Sequence, residues 1–235
     1  PFIPWEGCMY FPSVHVENFF EDPYQIIDFA KRLPFEKQDN QNYPGLRSPS
    51  LSQVNLPFFQ DVCKKQLSIF YSKEEMQDIR FVCEARFQLI KQQESVPFVH
   101  QDDPGVLTTI TYLTPNEEQS GTSVVAPTTE NSLISPKPFP KAEEEHMEKV
   151  KSESFNNPEE GNFKKATEAA NKYNDTFKEV TRFNSIFNSV SMFNSSSHHQ
   201  AHFNPNGGER LTLICVYYSI LAPRFPIPES GRVKL

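Results

Sequence analysis

The chain has 235 residues, enough for one domain with a proper core, and 21 Phe and 20 Pro against 8 Gly point to many short elements broken by proline. A net charge of −7 argues against a nucleic-acid backbone or an anionic membrane as partner. No apolar span of about eighteen residues and no signal-peptide pattern is present, so a soluble chain is predicted. Cys8, Cys63, Cys83 and Cys215 form no CxxC pair, and three of them sit in apolar runs; they read as reduced thiols of a cytoplasmic protein.

In chain order, VHVENF alternates as a half-buried strand, and His15 within it reads as structural. Residues 22–33 predict an amphipathic helix, with Asp22 as N-cap, Pro23 at the first position and Pro34 as the stop. The polar loop that follows carries Tyr43, Pro44, Gly45, Leu46 and Arg47, in which Pro-Gly marks a turn. A second helix is predicted over 56–71, and a strand over 79–91. LTTITYLT (107–114) and GTSVVA (121–126) read as paired strands of a hairpin. Composition then shifts: the charged, proline-rich segment 127–161 reads as a surface insertion or a lid, with His146 solvated. A third helix is predicted over 162–180, with Phe163, Ala166, Ala170, Tyr173 and Phe177 along one side. Phe-Asn-Ser occurs three times after it, and alternation supports a strand around Val190. Asn206, Gly207 and Gly208 make a turn into RLTLICVYYSIL, the most strand-like run in the chain, before an extended proline-rich tail.

The chemistry gathers at Val96–Tyr112. His100 and Asp102 are two apart at the head of a β-branched run, so in a strand both point to one face, which Asp103 does not share. An imidazole and a carboxylate so placed are two thirds of the 2-His-1-carboxylate set that holds non-haem Fe(II) with positions left open. A second histidine must come from His198, His199 or His202. Arg210 opens the next strand with Thr212 on its face, and a guanidinium beside a hydroxyl suits the far carboxylate of a dicarboxylate.

Taken together, VHQDD, TYLT, SGTSVV, FNSVSMFNSSSHH and RLTLICVYY resemble, in order, the motifs of Fe(II)/2-oxoglutarate-dependent dioxygenases, most closely the prolyl-hydroxylase-like branch. YPGLR is similar to a loop in uncharacterised relatives of that branch, and Ser120-Gly121-Thr122 stands where Gly-Gly-Thr is more usual. The resemblance implies one dioxygenase-like domain over 1–235 with an all-β core: a cupin-like jelly roll, or double-stranded β-helix, with the helices packed on one side. It implies that His100, Asp102 and a distal histidine bind Fe(II); spacing from Asn188 favours His199 over His198 and His202. Arg210 and Thr212 would hold 2-oxoglutarate, and O2 would serve to hydroxylate a small-molecule, amino-acid or peptide substrate, with YPGLR and 127–161 as the places for substrate contacts. The competing expectation is a non-catalytic cupin-like binding module or pseudoenzyme on the same fold.

Overall fold

The computed structural model describes residues 11–37, 43–92, 95–115, 119–128, 145–147, 149–152, 160–224 and 226. Cys8, most of the 127–161 segment and most of the tail lie outside the described residues. Strand β1 (Val14–Val16) leads to helix α1 (Pro23–Lys31). The Asp22 carboxylate accepts from the Tyr24 and Gln25 amides and so caps α1, and Pro23 sits where a missing N–H costs nothing. After the two-residue strand β2 (Leu46–Arg47) come α2 (Leu51–Val54) and α3 (Leu56–Leu67), the latter capped by the Asn55 side chain. The buried positions of α3 are Phe59, Val62, Cys63, Gln66 and Leu67, a single stripe at helical spacing. Helix α3 ends at Leu67, earlier than the 56–71 expectation, because the backbone tightens into i→i+3 bonds through Ile69 and Phe70.

The remaining elements are β3 (Arg80–Lys91), β4 (Val99–His100), β5 (Leu107–Tyr112), β6 (Gly121–Pro127), α4 (Glu160–Asn174), β7 (Phe177–Asn184), β8 (Ser189–Asn194), β9 (His199–His202) and β10 (Glu209–Leu221). They make two antiparallel sheets, one in the order β1-β8-β5-β10-β3-β2 and one in the order β4-β9-β6-β7. Val124 and Phe183 of the smaller sheet pack against Phe193 and Ile110 of the larger, so the sheets face one another as a jelly roll, or double-stranded β-helix.

Strand β10 shows how alternation divides the molecule. Leu211, Leu213, Cys215 and Tyr217 point into the core shared with α1 and α3, whereas Arg210, Thr212, Ile214 and Val216 line a cavity between the sheets. Each fully buried large apolar side chain here contributes about 1.5–3 kcal/mol. The Tyr217 hydroxyl, buried with them, donates to Gln66 Oε1 at 2.7 Å and ties β10 to α3. Cys63, Cys83 and Cys215 are free thiols on this side of the sheet.

Three further expectations are corrected. Residues 107–114 and 121–126 do not pair as a hairpin: β5 lies between β10 and β8 in the larger sheet, and β6 between β9 and β7 in the smaller, so the connection crosses from one sheet to the other. The helix predicted over 162–180 ends at Asn174, and residues 177–184 form β7, paired along β6. The helices also do not share one side: α1 and α3 pack on the larger sheet, while α4 sets Ala166, Ala170 and Tyr173 against Val96, Phe98, Val99 and Val125 beside the smaller one. Asn174 makes that junction specific, since its side chain accepts from Val99 N at 3.0 Å and donates to Pro97 O at 2.7 Å. Among the described residues no helix is long and apolar enough to cross a membrane.

Candidate metal centre

Strands β4 and β9 pair so that His100 lies directly opposite His199, with ring centroids 4.3 Å apart. Each histidine is oriented by the same device: Nδ1 lies 3.0 Å from the carbonyl oxygen two residues upstream, Phe98 O for His100 and Ser197 O for His199. A carbonyl only accepts, so Nδ1 carries the proton and Nε2 presents its lone pair. Both Nε2 atoms face Asp102, at 3.8 Å from Oδ1 for His100 and 3.4 Å from Oδ2 for His199. The three ligand atoms lie within 4.8 Å of one another, a group that could hold a metal ion.

Asp102 is itself fixed. Its amide donates to Ser195 O at 3.0 Å, and Thr108 Oγ1 donates to Oδ2 at 2.7 Å while touching Ser195 Oγ at 2.8 Å. Hydrogen bonds of this kind orient a ligating carboxylate before a metal arrives. Burial pushes the Asp102 carboxyl up, but the charge and hydrogen bond that His199 supplies when it also carries a proton on Nε2, then the charge of His100 and the Thr108 hydrogen bond, overrule it and hold the group well below the usual carboxylate range. Burial, then the charges of Lys151 and His199, push His100 well below its ordinary value, which keeps it in the neutral form that binds metal.

The structure separates the three histidines that sequence left open. His199 is 3 % exposed and faces the cavity. His198 lines the same cavity but sets its ring against Phe177 at 5.0 Å, and His202 bonds Ser123 Oγ at 2.7 Å near Glu179; only His199 of the three groups with His100 and Asp102 among the described residues. His15, predicted to be structural, bonds Ser191 Oγ at 3.0 Å and stacks on Phe183.

The triad opens onto a cavity of about 540 Å³. Arg210, 3 % exposed, lines it and is held by donation from Nη1 to His202 O at 2.9 Å and Ser120 Oγ at 3.2 Å, with Phe203 across its face. Thr212 lies beside it, and its hydroxyl is buried with no hydrogen-bond partner among the described residues. An orphaned buried hydroxyl next to a buried guanidinium is a site that a carboxylate oxygen would complete. The residues present therefore fit both a divalent first-row metal and a dicarboxylate.

The YPGLR loop lines the same cavity with Tyr43, Pro44 and Arg47. Gly45 takes φ +75°, and a Cβ there would lie 2.2 Å from Leu89 O, so the turn presses its backbone onto β3 as only glycine can. Gln88 Nε2 donates to Pro44 O at 2.6 Å and fixes the turn from the cavity side. Burial pulls the Arg47 guanidinium below its ordinary value, opposed by Tyr43 and Asp102. Lys151 and Met147, from the 127–161 segment, also line the cavity, and Lys151 is 5 % exposed. Sequence gave no reason to single out Lys151, because a lysine in a charged run reads as solvated. Thr108, by contrast, follows from alternation along β5, which puts it on the cavity face with Ile110.

The two-sheet jelly-roll frame is similar to that of solved 2-oxoglutarate-dependent enzymes. HygX from Streptomyces hygroscopicus, solved with nickel, 2-oxoglutarate and hygromycin B, matches with a TM-score of 0.54 at 12% identity, over 87% of this chain and 82% of that one. The α-ketoglutarate-dependent epimerase SnoN from nogalamycin biosynthesis matches with a TM-score of 0.51 at 15% identity, over 87% and 76%. At these identities the likeness shows the fold. No curated protein matches. The chain belongs to DUF6445, a family of unknown function whose profile matches residues 10–209.

Proposed function

We propose that this protein is an Fe(II)/2-oxoglutarate-dependent oxygenase that hydroxylates a C–H bond of a small molecule or peptide. The observation that carries the reading is the pair of histidines locked through Nδ1 with both Nε2 atoms turned toward one anchored carboxylate, in a cavity that Arg210 and Thr212 also line. His100, Asp102 and His199 would hold the metal on one side and leave the other side open to ligands. Arg210 and Thr212 would hold the distal carboxylate of 2-oxoglutarate, the guanidinium by charge-assisted bonds and the hydroxyl by a single donation. When bound, the metal and 2-oxoglutarate supply the oxidation of a C–H bond with O2, yielding succinate and CO2. The chain itself keeps His100 neutral and holds Asp102 ionised.

The test is anaerobic titration of Fe(II) and 2-oxoglutarate into the apoprotein, watching for the visible charge-transfer band of the chelate. The band is expected in the wild type and absent in His199→Ala. Its absence in the wild type would overturn the oxygenase reading and leave a binding module on the same fold.

A further inference from the structure

Among the described residues, Arg47 makes no ion pair, and its Nε has no hydrogen-bond partner. It stands on β2, which is fixed on both sides: Arg47 pairs with Gln88 of β3 and bridges to Glu36. Because Gln88 pairs in turn with Thr212, the three side chains share the cavity face of the larger sheet. The guanidinium lies flat on the Tyr43 ring, with Cζ 3.5 Å from the centroid. Stacking covers its face and leaves its N–H donors in the plane, pointing away from the ring. Nε is buried and has no acceptor, and among the described residues the group makes no ion pair. Its neighbour Arg86 differs on both counts, being bonded to Glu84 at 2.6 Å and to Ser48 O at 3.0 Å. Asp102, the carboxylate that faces Arg47 across the cavity, already has both oxygens engaged by His100, His199 and Thr108.

A half-buried cation whose Nε is shut off from water and has no acceptor is costly in the free protein and becomes favourable when an anion arrives. Arg210 and Thr212 provide a separate place for one carboxylate, so a second anion site in the same cavity calls for a second anionic group. Lys151 lines the same cavity. Tyr43, Tyr173 and Tyr218 give the remaining surface an aromatic character.

We propose that Arg47, presented by the Tyr43-Pro44-Gly45 turn, is the specificity-determining residue for an anionic group on the primary substrate, a carboxylate or a phosphate, bound in the cavity beside the metal. The inference rests on the oxygenase reading only in calling that molecule the substrate.

The experiment uses the zinc-loaded protein, which is diamagnetic, saturated with 2-oxoglutarate. Binding of benzoate, phenyl phosphate and the neutral benzamide is measured by saturation-transfer NMR. At least one anion is expected to bind roughly tenfold or more tightly than benzamide, and the stronger of the two identifies the group. Arg47→Gln is expected to remove this preference and leave the 2-oxoglutarate Kd unchanged. Arg47→Lys, which keeps the charge without the planar fork, retains part of the preference and serves as the reading if Arg47→Gln does not fold. Equal binding of anions and benzamide overturns the proposal, as does an anion preference that survives Arg47→Gln. A loss of 2-oxoglutarate affinity matching the loss of anion affinity also overturns it, and assigns Arg47 to the cosubstrate. If the wild type binds no 2-oxoglutarate but still shows Arg47-dependent anion binding, the oxygenase reading fails and the anion site stands.

Discussion

His100, Asp102 and His199 differ less in chemistry from other residues of their kind than in what holds them. Both imidazoles spend Nδ1 on their own backbone, and Asp102 spends one oxygen on Thr108. Thr108→Val is therefore expected to leave the fold intact and weaken Fe(II) or Zn(II) binding roughly 10- to 100-fold, read by competition with a chromogenic chelator. Asp102→Ala should abolish that binding. Arg210→Ala belongs to a different wall: the 2-oxoglutarate Kd should rise while metal affinity in the absence of 2-oxoglutarate stays within a few fold, measured by the same titration and the charge-transfer band. Equal losses in both would move Arg210 out of the cosubstrate site and into the support of the metal.

The elements that carry these residues are short, and the contacts that fix them come from elsewhere in the chain. Strand β4 is two residues long, and Asn174 at the end of α4 bonds the backbone on both sides of Phe98. Asn174→Ala leaves a buried N–H and carbonyl poorly satisfied, so a loss of about 1–3 kcal/mol in urea unfolding is expected, with weaker metal binding because β4 presents His100. Gly45→Ala forces a positive φ on a residue with a Cβ, costing about 1–2 kcal/mol before the overlap with Leu89 O is counted. The same denaturation experiment reads it, and a cost near zero would mean that the turn does not press on β3 as described. The extent of α4 shows why sequence ran the helix too far. Phe177 falls four residues after Tyr173 and so prolongs the helical pattern, yet it is reached by a turn and packs its ring 5.2 Å from Tyr173 from within β7. A contact made through tertiary packing imitated the spacing of a helix.

For the molecule as a whole, the buried ionisable groups set a pH window. The unfolded chain's histidine takes a proton near 6.5, but folded His100 resists it, so stability present above that pH is lost as pH falls. Asp102 acts with the same sign at lower pH, since its folded form stays ionised below the pH at which the unfolded carboxyl is protonated. On the alkaline side, burial raises Tyr71 to about 12 and also raises Tyr112 and Tyr217, against an ordinary value of 10.0. Folded phenols keep their protons while unfolded ones lose them, so stability should fall as pH rises above 10. Thermal unfolding of the apoprotein across pH should show both slopes, and bound Zn(II) should raise Tm by mass action and steepen the acid limb as protons compete for the ligands.

Sequence by itself determined strands β1, β3, β5, β6, β8 and β10, the α1 cap, the nearness of His100 and Asp102, and the order of motifs that resembles a dioxygenase. Those are properties of neighbours along the chain, where a period of two or a side chain three residues away decides the outcome. The tertiary structure brings His199, which spacing from Asn188 favours, beside His100 and Asp102, and gives His198 and His202 other partners, which is set by sheet pairing and not by residue type. It also decided that α4 packs beside the smaller sheet, and that a lysine from a charged segment reaches a buried wall. Arg47 lay between the two: its turn was legible, but a solvated loop arginine and a stacked, half-buried guanidinium have the same sequence. What separates them is the Tyr43 ring over the guanidinium and a buried Nε with no acceptor among the described residues, both properties of the packed molecule.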